Sequence, residues 1–417
     1  MGDYEVKRGG TAKLDHVDGE LRVGNKAKIE SAQGNRVVVA KGAYFEGNCE
    51  INCDFECDSL QVRHGGTLRV AGDLFVHNTL DVIHSIDVKG KIKAREIDVG
   101  GRIHSNSIEC DNLIRVGGKL DVQESLAAKS LDVGGQASTR GQVKLEDLTV
   151  GGVAEIGGGT ISGRIRVGGK FQSSGPLEFG DIEVVGKIIL PSKCKGRKIS
   201  TFGKLSSEGD LECDELVLKG RAEIGGNCKT RKIESSGKFN VGGSTAASGE
   251  VASWGQTEIE GEFNGTDLRI GGYFKARRIV SSNEIEVLGQ VETREGLKGG
   301  TIFVRSGSKY TGVIVGDKVD VGKSYDVVSN WGTTFAGQTA ILRLIGKETK
   351  VGDIYAKEVH LGKAARCGKV FADVVEFEEG CIAEEITYTK EVRGPIEKVF
   401  LNRPFPRKVA TLPTSPL

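Results

Sequence analysis

From Ile97 to Phe239 apolar and polar positions alternate in short runs, and the runs recur every 17 residues without a slip. Each repeat opens on an aliphatic residue: Ile97, Ile114, Leu131, Leu148, Ile165, Ile182, Ile199, Leu216 and Ile233. Two residues on stand Val99, Val116, Val133, Val150, Val167 and Val184, a column that drifts to Thr201, Leu218 and Ser235. A glycine follows at 101, 118, 135, 152, 169, 186, 203, 220 and 237, and beyond it comes a third apolar site, from Ile103 and Leu120 to Ala222 and Phe239. Alternation over four to seven residues buries one face of a strand. Recurrence at a short fixed period means stacked turns. Seventeen residues are too few for a helix pair or a propeller blade, but they suit one turn of a β-helix made of three short strands with glycine at a corner.

The same signature continues with slips on either side, from Leu21-Arg22-Val23-Gly24 upstream to Leu342-Arg343-Leu344-Ile345-Gly346 and Val359-His360-Leu361-Gly362 downstream. The chain is therefore expected to be all-β, a single continuous parallel β-helix of about 22 short turns. Residues 1–13 read as a short polar segment, 14–388 as the repeat rod and 389–417 as a tail. The rod is expected to be irregular near 324–341. Gly90 and Gly101 are only 11 residues apart, so a turn is shortened there or a face reused. Five of the seven prolines fall in the tail. Proline cannot donate to a ladder, so the tail is expected to leave the helix, extended or disordered.

Composition sharpens this picture. Glycine makes up 61 of 417 residues, about twice its usual share, and disfavours helix nearly everywhere. Lys and Arg number 58 against 57 Asp and Glu, so charge gives no general argument for nucleic acid. No apolar run is long enough to cross a bilayer and no signal sequence follows Met1, so the chain reads as cytoplasmic. The nine cysteines are odd in number and scattered, which suits a reducing compartment rather than a disulfide scaffold. Cys49, Cys53 and Cys57 form a C-x3-C-x3-C cluster, the one weak metal candidate; the alternative is small residues buried on successive strands.

Two features bear on partners. Interior turns satisfy their edges by stacking, whereas the two end turns present open strand edges, which invite another chain unless capped or charged. The residues expected at those ends are Leu14, Val17, Leu21 and Val23, and, at the other end, Val375, Phe377, Ile382 and Ile386. The second feature is a basic stripe just after the corner glycines: Arg102, Lys119, Lys170, Lys187, Lys204, Arg221 and Lys238. Either it meets an anionic membrane surface or another polyanion, or Asp121, Glu155 and Glu223, two residues further on, neutralise it.

No H-E-x-x-H, G-x-S-x-G or dinucleotide fingerprint occurs, and the six histidines lack metal spacing, so neither cofactor nor catalytic residue is expected. The segment Gly316 to Ser324 looks like a phosphate loop, but five residues separate its glycines where four are required. The Val-Gly-Gly-Lys and Val-x-Gly-x-Ile turns, the 17-residue period and the proline-containing tail resemble those of bactofilins, the polymer-forming cytoskeletal proteins. That resemblance implies a right-handed, triangular β-helix that assembles end to end into filaments without nucleotide, often as a membrane or envelope scaffold. The repeat region is several times longer than the common bactofilin core, which makes two fused cores conceivable, and no hydrophobic N-terminal anchor is present. A non-polymerising rod serving as spacer or platform is the alternative. A hexapeptide-type acyltransferase is a minor one, since turns of six-residue units would give a period of 18.

Overall fold

The computed structural model describes residues 2–323, 348–396 and 406–417. The chain divides into two compact units, Met1–Lys204 and Leu205–Leu417. Each is a parallel β-solenoid, and the described residues contain no α-helix. In the first unit Leu113–Val116 pairs with Ser130–Val133, which pairs with Asp147–Val150, every partner 17 residues on. Lys119–Val122, Gln136–Thr139 and Val153–Ile156 make a second side, and Leu126–Ala127, Val143–Leu145 and the start of Gly159–Val167 a third. The second unit repeats the arrangement: Leu211–Leu218 lies on Cys228–Ser235, and Arg221–Ile224 on Lys238–Val241.

The apolar columns read from the sequence line the interior, and the opening aliphatic residues from Ile97 to Ile233 are all buried. A turn of three short strands cannot bury its inward side chains alone; the turns above and below complete the burial and accept or donate its backbone hydrogen bonds. Volumes compensate along a column, since Phe171 packs over Ala154 and Phe239 over Ala222. Thr201 and Ser235, where the valine column drifts to polar residues, still point inward and are buried.

Two kinds of corner hold the turns in register. At the first, the N–H of Gly152 donates to the carbonyl of Gly135, and that of Gly169 to Gly152, at 3.0 Å each. The φ of Gly169 is not in the left-handed region; close backbone approach, not positive φ, is what requires glycine there. At the second, a carboxylate or amide oxygen accepts the backbone N–H of the next turn. Asp54 accepts from Asp73, and Asp73 from Lys91, both at 2.8 Å. In the second unit Asp210 accepts from Asn227 at 2.6 Å and Asn227 from Ser244 at 2.9 Å.

Several boundaries differ from those read in the sequence. The solenoid begins at Tyr4, not 14, because Tyr4–Val6 pairs with Leu21–Val23 and Thr11–Leu14 with Lys28–Ser31. The short Gly90–Gly101 interval is neither a shortened turn nor a reused face: the two glycines lie at different corners of one turn, Gly90 after the face where Ile86 pairs with Ile103, and Gly101 after the face where Ile97 pairs with Ile114. In the second unit Val319 pairs directly with Val359, 40 residues on. The repeat expected at 342–346 and the irregular stretch 324–341 lie outside the described residues. The last long strand, Ile382–Arg393, runs past the expected boundary at 388, and Arg407–Lys408 pairs with Thr387 and Tyr388. This part of the tail lies on the solenoid rather than leaving it, because Arg407, Lys408 and Val409 follow Pro406 and retain the N–H groups that a ladder needs.

Candidate functional site

The first end turn is Tyr4–Val6, Thr11–Leu14 and His16–Val17. Each of these strands pairs with the second turn on one side, and among the described residues none pairs on the other. The carbonyls of Gly10 and Leu14 accept N–H groups from the second turn. Strand alternation then turns the N–H and carbonyl of Lys13 to the open side. Of the four residues expected at this end, Leu14 and Val17 belong to the first turn, while Leu21 and Val23 belong to the second and are covered by Tyr4 and Val6. None presents an apolar surface: Leu14 is 6% exposed and Val17 0%. The inward residues of this end turn, Val6, Ala12, Leu14 and Val17, are all buried, so it does not expose the aliphatic cross-section expected of it.

At the other end Val375 and Phe377 lie one turn in, with Val375 paired to Val392 in the covering strand. Ile382 and Ile386 are in that last strand; Ile382 is half-buried and Ile386 buried. Gly394 turns over Phe377 with φ +127°, a conformation that a side chain would strain. The open edge here is also backbone, and it is occupied in part. Arg407–Lys408 lies parallel to Thr387–Tyr388, and the N–H of Val409 donates to the carbonyl of Tyr388 at 2.9 Å.

The basic stripe is real as a column: Arg102 stacks on Lys119 and Lys170 on Lys187 in the first unit, Arg221 on Lys238 in the second. Three of its seven members pair with the acids that their neighbours suggest. Arg102 lies 3.6 Å from Asp121 and Lys170 2.9 Å from Glu155, and Arg221 pairs with Glu223. Exposed pairs of this kind contribute little stability, but they lower the field that the column presents. At the same corner Val185 and Phe202 stand where earlier turns have Gly151 and Gly168, and both side chains are exposed.

The structure does not bring Cys49, Cys53 and Cys57 together as a group of metal ligands. Cys49 heads one strand, Cys53 lies in the following corner and Cys57 sits within the next strand, so they enter the interior at separate points. No group of three potential ligands occurs among the described residues. Burial pushes the Cys53 thiol up to about 11 and that of Cys57 further. The phosphate-loop look-alike is strand from Gly316 to Val321, with Gly316 paired to Gly299 on one side and Ala356 on the other, and its Ser324 lies outside the described residues.

A buried ion network escaped the sequence reading. In the second unit Glu286, 4% exposed, receives Arg269 at 2.8 Å and Arg305 at 2.9 Å, and the Arg305 guanidinium lies 4.6 Å from the centre of the Phe303 ring. Nearby on the same face His360 lies 3.5 Å from Asp320 and 3.7 Å from Glu378. The only hint in the sequence is the outward sites of successive strands, Arg269, Glu286, Phe303, Asp320 and His360, which stack in register. No family model, curated protein or solved structure matches this chain.

Proposed function

We propose that this protein is a structural subunit that assembles end to end into filaments without nucleotide, as the resemblance to bactofilins implies. The observation that carries this reading is the one-sided pairing of the first turn, whose strands offer a row of backbone groups with the spacing of an ordinary rung. Addition of a second copy is β-augmentation, in which main-chain hydrogen bonds supply affinity. Because the end aliphatics are already buried, the edge rather than apolar area drives the contact. The nine thiols, all free and buried, support placing the filament in the reducing cytoplasm. The basic column is not part of this reading, since Arg102, Lys170 and Arg221 are already matched by acids.

The test is negative-stain microscopy with sedimentation over a range of concentration and salt. Charge in the interior, as in Val23→Asp or Phe377→Asp, would disrupt the buried turn on which the end turn packs, so the informative variants act on the edge. Lys13→Pro removes an outward N–H and leaves the bonds to the second turn in place. Glu384→Pro does the same at the other end, because Glu384 shares the strand parity of Tyr388, whose carbonyl faces outward. Filaments of the unaltered protein, lost in both variants with an unchanged far-UV spectrum, support the reading. A chain that stays monomeric at every concentration and salt refutes it and leaves the spacer rod in its place.

A further inference from the structure

The geometry points to an autoinhibitory strap: we infer that residues 406–417 hold the C-terminal edge closed to a second copy and must lift before a subunit can add there. This rests on the end-to-end reading and concerns its regulation.

The strap is attached at two places. At one, Arg407–Lys408 pairs with Thr387 and Tyr388, and Val409 donates to the Tyr388 carbonyl. These are groups that an incoming strand would need. At the other, the Leu417 side chain fills the dimple over Gly296, where an added Cβ would stand 2.5 Å from Leu417 Cδ1. Between the two runs one outward column of the solenoid, Thr387, Phe371, Tyr355, Val315 and Lys298, each paired to the next. Its middle is apolar, with the rings of Phe371 and Tyr355 stacked at 4.7 Å. Four rungs span roughly 19 Å, and the eight residue-to-residue steps from Val409 to Leu417 reach about 27 Å when extended, so the tail bridges its attachment points without tension.

The hold is weak by construction. Two residues of a 12-residue strand are covered, and the rest of the edge, Ile382 to Ile386 and Thr389 to Arg393, has no strand partner outside among the described residues. A second copy pairing along the whole strand forms more backbone bonds than the strap does, so it displaces the strap once its concentration is high enough. The strap therefore sets a threshold for growth and selects one end for control.

The experiment compares the full chain, a chain ended after Phe405, and Val409→Pro, which deletes the donor to Tyr388 while keeping the tail. The threshold concentration for assembly is read by sedimentation and microscopy, and protection of the Val409 amide by hydrogen exchange in the unassembled full chain. The expected result is a protected Val409 amide and a threshold roughly tenfold lower in both altered chains, the effect of losing one to two net hydrogen bonds. Adding Lys13→Pro to the shortened chain should abolish that assembly, which separates ordered growth from aggregation. An unprotected Val409 amide overturns the strap whatever the assembly behaviour. A full chain that assembles with a threshold unchanged or raised by both alterations also overturns it, and leaves the end-to-end reading intact. If no chain assembles while Val409 is protected, the end-to-end reading fails and the inhibitory role fails with it.

Discussion

The N–H of Gly169 donates to the carbonyl of Gly152 at 3.0 Å, and that same oxygen lies 2.6 Å from where a Cβ on Gly169 would stand. One atom thus joins two turns and forbids a side chain on the upper one. Gly169→Val must push the corner apart and lose the bond, at about 3 kcal/mol. Arg166→Val, at an exposed outward site on the preceding strand, should change stability by no more than about 0.5 kcal/mol. Denaturant melts of the two variants measure the contrast, and equal midpoints would refute the corner assignment.

Glu286 is the shared acceptor of two guanidiniums in a site from which water is largely excluded. Glu286→Ala removes the carboxylate that both point at, and should cost about 3 kcal/mol or more. Glu286→Gln, which keeps the shape and one carbonyl acceptor, should cost less. Equilibrium unfolding gives both values, and a loss of under about 1 kcal/mol in Glu286→Ala would show that the network is dispensable.

His360 titrates between carboxylates. Asp320 beside Nδ1 raises its pKa above the ordinary 6.5, with Glu378 and Glu376 adding to the effect and burial opposing it. Since the folded value is the higher one, the stabilisation is complete below pH 6.5 and is lost as pH rises through the raised value. Melting temperature should therefore fall across that window in the unaltered protein. In His360→Asn that component of the pH profile should vanish.

All nine cysteines are free and buried. Burial pushes the thiols of Cys110 and Cys381 up to about 11 and that of Cys228 to about 12. At pH 8 about one thiol in a thousand is ionised at a pKa of 11, and the thiolate is the reactive form. The folded protein should resist alkylation at this pH, and denaturant should release nine reactive thiols. Fast labelling of one or more without denaturant would mark a turn that opens locally.

The fold was legible because burial in a solenoid repeats with the chain's own period: Ile97, Ile114 and Leu131 announce one column before any contact is known. The ends were less so. Tyr4-Glu5-Val6 holds a single alternation among polar residues, too short to count as a strand until Leu21 and Val23 are seen beneath it. That Leu14 and Val17 are buried at an end is a matter of three-dimensional packing, which no pattern of letters records. The Asp54, Asp73, Asp210 and Asn227 bonds were missed because a side chain bonded to backbone leaves the hydrophobic period undisturbed, although Gly72-Asp73, Gly209-Asp210 and Gly226-Asn227 repeat a visible pair. Glu286 occupies an outward site, and its burial is not a property of the alternation that places it.

Val319 and Val321 sit directly against Val359 and Leu361, as if the intervening chain had the usual length. Recognition between rungs is thus indifferent to how many residues connect them. For protein engineering this makes the joint after Lys323 a permissive graft site: a foreign domain with neighbouring termini, inserted there, should be displayed from the flank of the solenoid while the rungs on either side close as before.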